Sequence, residues 1–171
     1  MVDVNALIKE IEEQTYDASD MPFDFVEEGI STALLCEPDP SLRERMAQML
    51  EGMGYRLTKA DSAREALKRC RFHTYDVVVV NENFDAEGPN DNPFLVYLTQ
   101  LPMAVRREMF VCLISDRYRT MDKMVAFHQS VNLIVNKKNL DDFPAILKTA
   151  IADNEAFYRI FREIKKRIER E

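Results

Sequence analysis

The segment Tyr75-Asp76-Val77-Val78-Val79-Val80-Asn81 decides the fold. Four consecutive valines suit a strand covered on both faces, because β-branched side chains pack well on a pleat and no residue of the run is placed to meet water. Such a strand needs helices above and below it, and the flanking sequence supplies them. Upstream, Thr32–Cys36 reads as a strand and Glu37-Pro38-Asp39-Pro40 as a turn. A helix follows with Leu42, Met46, Met49, Leu50 and Met53 on one face, stopped by Gly52 and Gly54. Residues 55–59 form the next expected strand, after which Ser62-Ala63-Arg64-Glu65 is a capping box opening a helix that buries Ala63, Ala66, Leu67 and Cys70. Downstream, helix is expected over 94–101, strand over 109–114, helix over 120–129 and a short strand over 133–135. Asp141-Asp142 then caps a long terminal helix with Pro144 in its first turn. Strands alternating with helices imply parallel crossovers and a doubly wound, five-stranded sheet.

At 171 residues, 46% hydrophobic and 31% charged, the chain fits one globular domain with extensions. No apolar run approaches a membrane span and no secretory signal opens the chain, so a cytoplasmic protein is expected. Cys36, Cys70 and Cys112 each sit in an apolar stretch and are expected to be buried, reduced thiols; with only His73 and His128 beside them, a His/Cys metal centre is not expected. The net charge of −7 is concentrated: residues 1–31 hold nine acids against Lys9 alone, leaving the other 140 residues near neutral. An acidic leader argues against nucleic acid or an anionic membrane as its partner. A solvated, partly mobile leader is expected in preference to a docking arm; within it Val4, Leu7, Ile8 and Ile11 carry helical spacing, their stripe needing a surface of its own chain or of a partner, and an irregular linker has Phe23 and Phe25 available to lay across the domain.

In a sheet of this kind the carboxyl ends of the strands converge on one crevice. The residues brought there are Glu37, Pro38 and Asp39 after the first strand, Asn81, Glu82 and Asn83 after the third, Ser115 and Asp116 after the fourth, and Lys137 and Lys138 after the fifth. In order, spacing and residue type this set resembles the receiver domain of bacterial two-component response regulators. The resemblance covers residues 32–152 and is carried most closely by Leu34-Leu35-Cys36-Glu37-Pro38-Asp39-Pro40-Ser41-Leu42-Arg43 with Glu-Gly-Met-Gly-Tyr after the helix. It implies a flavodoxin-like sheet of order 2-1-3-4-5, with residues 1–31 as an N-terminal extension and 153–171 continuing the last helix. It also places the family's acidic pair on Glu37 and Pro38, its phosphoacceptor on Asn81, its hydroxyl on Ser115 and its lysine on Lys137.

Two of those placements depart from the family chemistry. An amide is no phosphoryl nucleophile, and Pro38 removes a carboxylate that would hold a divalent cation. Of three carboxylates only Glu37 survives, so no metal or cofactor is expected; Asp39 should be aimed elsewhere. Lys137, without a partner aspartate, is expected to pair with Glu37 or to hydrogen-bond Asn81. The expected function is therefore a non-phosphorylatable signalling module acting through protein contacts, and not an enzyme. Two other readings stay open: a regulator phosphorylated at Ser115 or Asp39, and a ligand sensor or small enzyme using the crevice. Acidic residues in the 84–93 loop lack the glycine and bidentate glutamate of a calcium loop and are expected to be solvated.

Beyond residue 152 the terminal helix keeps an apolar repeat. Leu147, Ala150, Asn154, Phe157, Phe161, Ile164 and Ile168 alternate by three and four residues, which is a heptad seam, with Asn154 at a position where a buried amide sets register. The seam predicts a homodimer; the competing reading folds the helix back on its own body or on the N-terminal helix. Arg159, Arg162, Lys165, Lys166, Arg167 and Arg170 suit the helix C-terminus. Glu155, Glu163, Glu169 and Glu171 break up that basic face, which argues against nucleic-acid binding there.

Overall fold

The computed structural model describes residues 3–14, 29–88 and 90–170, and Phe23 and Phe25 lie outside them. After α1 (Val4–Glu13) come β1 (Thr32–Cys36), α2 (Pro40–Gly52), β2 (Arg56–Lys59), α3 (Ala63–Phe72) and β3 (Val77–Asn81). The second half runs α4 (Pro93–Gln100), α5 (Met103–Arg106), β4 (Phe110–Ser115), α6 (Lys123–His128), β5 (Leu133–Asn136), a 3₁₀ turn (Lys137–Asp142) and α7 (Phe143–Ile168). All five strands are parallel, in the order β2-β1-β3-β4-β5. The expected sheet and its order are therefore the observed ones.

β3 is buried at all five positions, as a valine run covered on both faces must be. Alternate residues of the central strands feed two cores. One face sends Leu34, Cys36, Val78, Val80, Val111 and Leu113 toward α3, α4 and α6, where Ala66, Leu67, Phe94 and Leu98 meet them. The other sends Ala33, Leu35, Val77, Val79, Cys112 and Ile114 toward α2 and α7, against Met46, Leu50, Phe143 and Leu147. Cys36 and Cys112 are buried, Cys70 half-buried, and all three are free thiols; burial lifts the Cys70 thiol to about 12.

The stripe on α1 finds its own domain. Ile11 is buried in the α3 and α4 core with Leu7 and Ile8 against it. Arg64 pairs with Glu10, while Arg71 donates to the carbonyls of Ile11 and Glu12, which α1 leaves unbonded at its C-terminal end. Ser62 accepts from the Glu65 N–H at 3.2 Å, and the Glu65 carboxylate reaches back to the Asp61 N–H instead of the Ser62 N–H, a shifted capping box.

One local expectation is corrected, and one element is new. Asp141 and Asp142 do not cap α7 with their side chains, because a 3₁₀ turn feeds straight into the helix; Asp141 instead pairs with Arg45 on α2. The short helix α5 has no apolar periodicity to announce it. Arg106 secures it from behind, donating to the carbonyls of Met109 and Ser130 at 2.9 Å each.

Candidate functional site

The strand ends do converge. Asn81 closes β3 and Glu37 follows β1; each is 1% exposed, and β1 and β3 are adjacent. The Asn81 Nδ2 amide donates to Glu37 Oε2 at 2.7 Å, and its Oδ1 accepts from the Asn83 N–H at 2.9 Å. Glu37 Oε1 accepts from the Asp39 N–H at 3.0 Å, so both carboxylate oxygens are engaged. Burial pushes the Glu37 carboxyl above its ordinary value, with the Asn81 amide, the Asp39 N–H and the charge of Lys137 opposing it. Asp39 turns away as anticipated: its carboxylate caps α2, accepting from the Leu42 N–H at 2.7 Å. Pro38 stands exposed between them and contributes neither a donor nor a carboxylate.

A second unit lies on the other side of β3. Glu82, 7% exposed, turns its carboxylate toward β4. Its Oε1 accepts from the Ser115 hydroxyl at 2.9 Å and from the Asp116 N–H at 2.8 Å; its Oε2 accepts from Arg117 Nε at 2.8 Å. Fully buried Ser115 in turn accepts from the N–H groups of Arg117 and Tyr118, at 3.0 and 3.1 Å. The hydrogen bond to Glu82 holds the Arg117 guanidinium above its ordinary pKa. Asn92 ties the long loop to the same strand end, donating to the Asn81 carbonyl at 2.9 Å while its Oδ1 caps α4 through Phe94 and Leu95. Glu82 was placed in the crevice from sequence but given no role, and Asn92 and Arg117 were not singled out. The one signal was that Glu82 follows Asn81 directly and Asn92 precedes a proline at the head of a helix.

Lys137 corrects an expectation. Its ammonium pairs with Asp116 Oδ2 at 2.9 Å, and with neither Glu37 nor Asn81. Partial burial works to lower its pKa, but Asp116, with Glu37 and Glu82 at longer range, raises it above the ordinary value. The lysine therefore balances the pocket's charge from a distance while bonded to the β4 side.

A divalent cation in this fold needs a dense set of carboxylate oxygens. The residues here do not fit one. Glu37 spends both oxygens on N–H donors, Glu82 spends both on the β4 side, Asp39 caps a helix, and Pro38 has no side-chain ligand. Among the described residues no group of three His, Cys, Asp or Glu side chains is placed to hold a metal.

The terminal seam divides where the sheet ends. Leu147 is fully buried and Ala150 half-buried against the body. From there Tyr158, Phe161 and Lys165 lean on the segment before β4: the Arg107 guanidinium lies 4.5 Å from the Phe161 ring centroid, and Lys165 donates to Glu108 at 3.0 Å. Phe157 (80% exposed), Ile160, Ile164 and Ile168 project into solvent. Asn154 sits at the junction, lining a groove of about 430 Å³ between α6 and α7.

No protein-family model matches the sequence, and no curated protein matches it. Solved structures do. The CheY-like response regulator receiver domain protein of Methanospirillum hungatei superposes with a TM-score of 0.57 at 16% identity, over 74% of this chain and 98% of that one. The chemotaxis response regulator CheY4 of Vibrio cholerae gives 0.54 at 16% identity, over 73% and 98%. The non-phosphorylated HemR receiver domain of Leptospira biflexa gives 0.56 at 20%, over 71% and 94%. At these identities the likeness speaks for architecture, and with the sheet order and helix placement it is unambiguous: the chain has the CheY-like fold of response regulator receiver domains.

Proposed function

We propose that the protein is a receiver-like signalling module that transmits through protein contacts and accepts no phosphoryl group. The observation that carries this is the 2.7 Å hydrogen bond from the Asn81 amide to the buried Glu37 carboxylate. It occupies the place where a nucleophilic carboxylate and a cation would otherwise meet, and it leaves no second carboxylate free beside Pro38. The alternative acceptors are already engaged: the Ser115 hydroxyl donates to Glu82, and Asp39 caps α2. The module does no chemistry of its own, and its output depends on which surfaces it presents.

In this reading the protein acts as a homodimer through the exposed half of α7, whose Phe157, Ile160, Ile164 and Ile168 form an apolar stripe outside its own core. A protein partner in a signalling pathway then reads the remaining surface. The decisive experiment incubates the protein with acetyl phosphate and magnesium and measures the intact mass. An unchanged mass is expected, and a gain of one phosphoryl group on any residue sinks the proposal. Sedimentation across a range of concentrations tests the dimer independently.

A further inference from the structure

We infer that the two copies pair antiparallel along α7, crossing near Ile160, so that the basic end of each helix seats in the α6–α7 groove of the other copy. The inference rests on the dimer reading above and deepens it by fixing orientation and contact residues.

The first observation is charge. Residues 159–170 carry six bases against two acids, and residues 150–158 carry Asp153 and Glu155 and no base. A parallel pair in register would bring the two basic ends together; an antiparallel pair crossing at Ile160 runs each basic end beside the partner's Asp153 and the partner's Glu155. The second observation is spacing. Asp153 and Arg167 are both exposed and each lies seven residues from Ile160, about two helical turns on either side along one stripe. A two-fold axis at Ile160 therefore sets Asp153 beside the partner's Arg167 twice over, and packs Phe157 between the partner's Ile160 and the partner's Ile164.

The groove supplies the third. It is lined by Phe127, Val131, Leu133, Ala150, Asn154 and Phe157 among others, and its rim residues Phe127 and Phe157 are 82% and 80% exposed. In the antiparallel arrangement the partner's Ile164 comes level with Ala156, next to Phe157 and Asp153, and the partner's Ile168 comes level with Ala152, next to Asp153 and Ala150, along the α7 wall of this groove. The side of α7 bearing Tyr158 and Lys165 is taken up by the chain's own body, which leaves the face bearing Asp153, Phe157, Ile160, Ile164 and Arg167 for the second copy.

Cysteine pairing tests the orientation. Cys36 and Cys112 are buried and Cys70 is shielded, so thiols introduced on α7 are the reactive ones. Asp153→Cys and Arg167→Cys chains, mixed in equal amounts and oxidised, should give the mixed disulfide dimer, while Ile164→Cys alone should give little cross-link. Asp153→Arg should raise the dimer dissociation constant on the order of tenfold, and adding Arg167→Asp should restore it. A dimer in which Ile164→Cys cross-links to itself and the 153–167 mixture does not overturns the antiparallel pairing and leaves the dimer standing. A chain that sediments as a monomer at all concentrations overturns the dimer and the pairing together.

Discussion

Replacing Asn81 with aspartate restores a carboxylate to the end of β3, and the structure says what that costs. The substitution removes the Nδ2 donor 2.7 Å from Glu37 Oε2 and sets a second carboxylate against one that is 1% exposed. Two unit charges about 4 Å apart repel by about 4 kcal/mol at an effective dielectric near 20. The cheaper outcome is for the pair to keep one proton between them, which costs about 1.4 kcal/mol for each pH unit above the ordinary carboxyl pKa, up to the raised pKa of the pair. Glu37 already titrates high through burial, so the pair is protonated at mildly acid pH and the hydrogen bond survives there. The folded state then holds a proton that the unfolded chain releases, so stability falls as pH rises through the shared pKa.

Asn81→Asp should therefore be close to the native chain near pH 4 and weaker near pH 7, by no more than the repulsion of about 4 kcal/mol. Urea denaturation followed by circular dichroism at both pH values measures this, provided the dependence on denaturant is unchanged. A loss that does not vary with pH would refute the Asn81–Glu37 geometry. Millimolar magnesium supplies a sharper control. If it abolished the loss at neutral pH, the restored carboxylate would be completing a cation site, and the judgement that these residues do not fit a metal would be wrong.

Three further outcomes follow from the same bonds. Glu37→Gln removes the raised carboxyl; since a raised folded pKa contributes stability that is lost as pH rises, the variant should gain on the native chain between about pH 4 and pH 7 in denaturant titrations, with little gap at the acid end. Glu82→Ala orphans the Ser115 hydroxyl and the Asp116 N–H and should cost about 3 kcal/mol, whereas Arg117→Ala, at a half-exposed partner, should cost below about 1 kcal/mol; equal losses would place the weight of this cluster on the ion pair instead. Ile11→Ala should cost about 2 to 4 kcal/mol by thermal or chemical unfolding, because α1 is built into the core; a loss near zero would make α1 a loosely held arm.

Much of the architecture was legible because it rests on periodicity. The valine run of β3, the capped helices and the apolar faces of α2 and α3 are local patterns, and strand ends that share a crevice follow from topology once the strands alternate with helices. Ion-pair choices were not legible in the same way. Lys137 reaches Asp116 instead of Glu37 because the Asn81 amide and the Asp39 N–H have already satisfied the glutamate, and a residue list cannot say which donors arrive first. The inward turn of Glu82 was hidden for a similar reason: a residue just past a strand end is as easily solvated as buried, and only the N–H groups of the β4–α6 loop decide it.

That inward turn bears on the proposed function. Glu82 is a resident anion joined to the hydroxyl of Ser115, so the loop leading from β4 to α6 is held by a group that no phosphodonor or phosphatase can add or remove. With Asn81 and Glu37 bonded to each other on the opposite side of β3, the strand end has two self-satisfied units and no open valence between them. A pocket arranged in this way favours one conformation of the α6 surface, on which Met124 and Phe127 are exposed. Under the proposed function, regulation enters through what binds that surface and α7, because a ligand shifts a conformational balance only by preferring one state over the other.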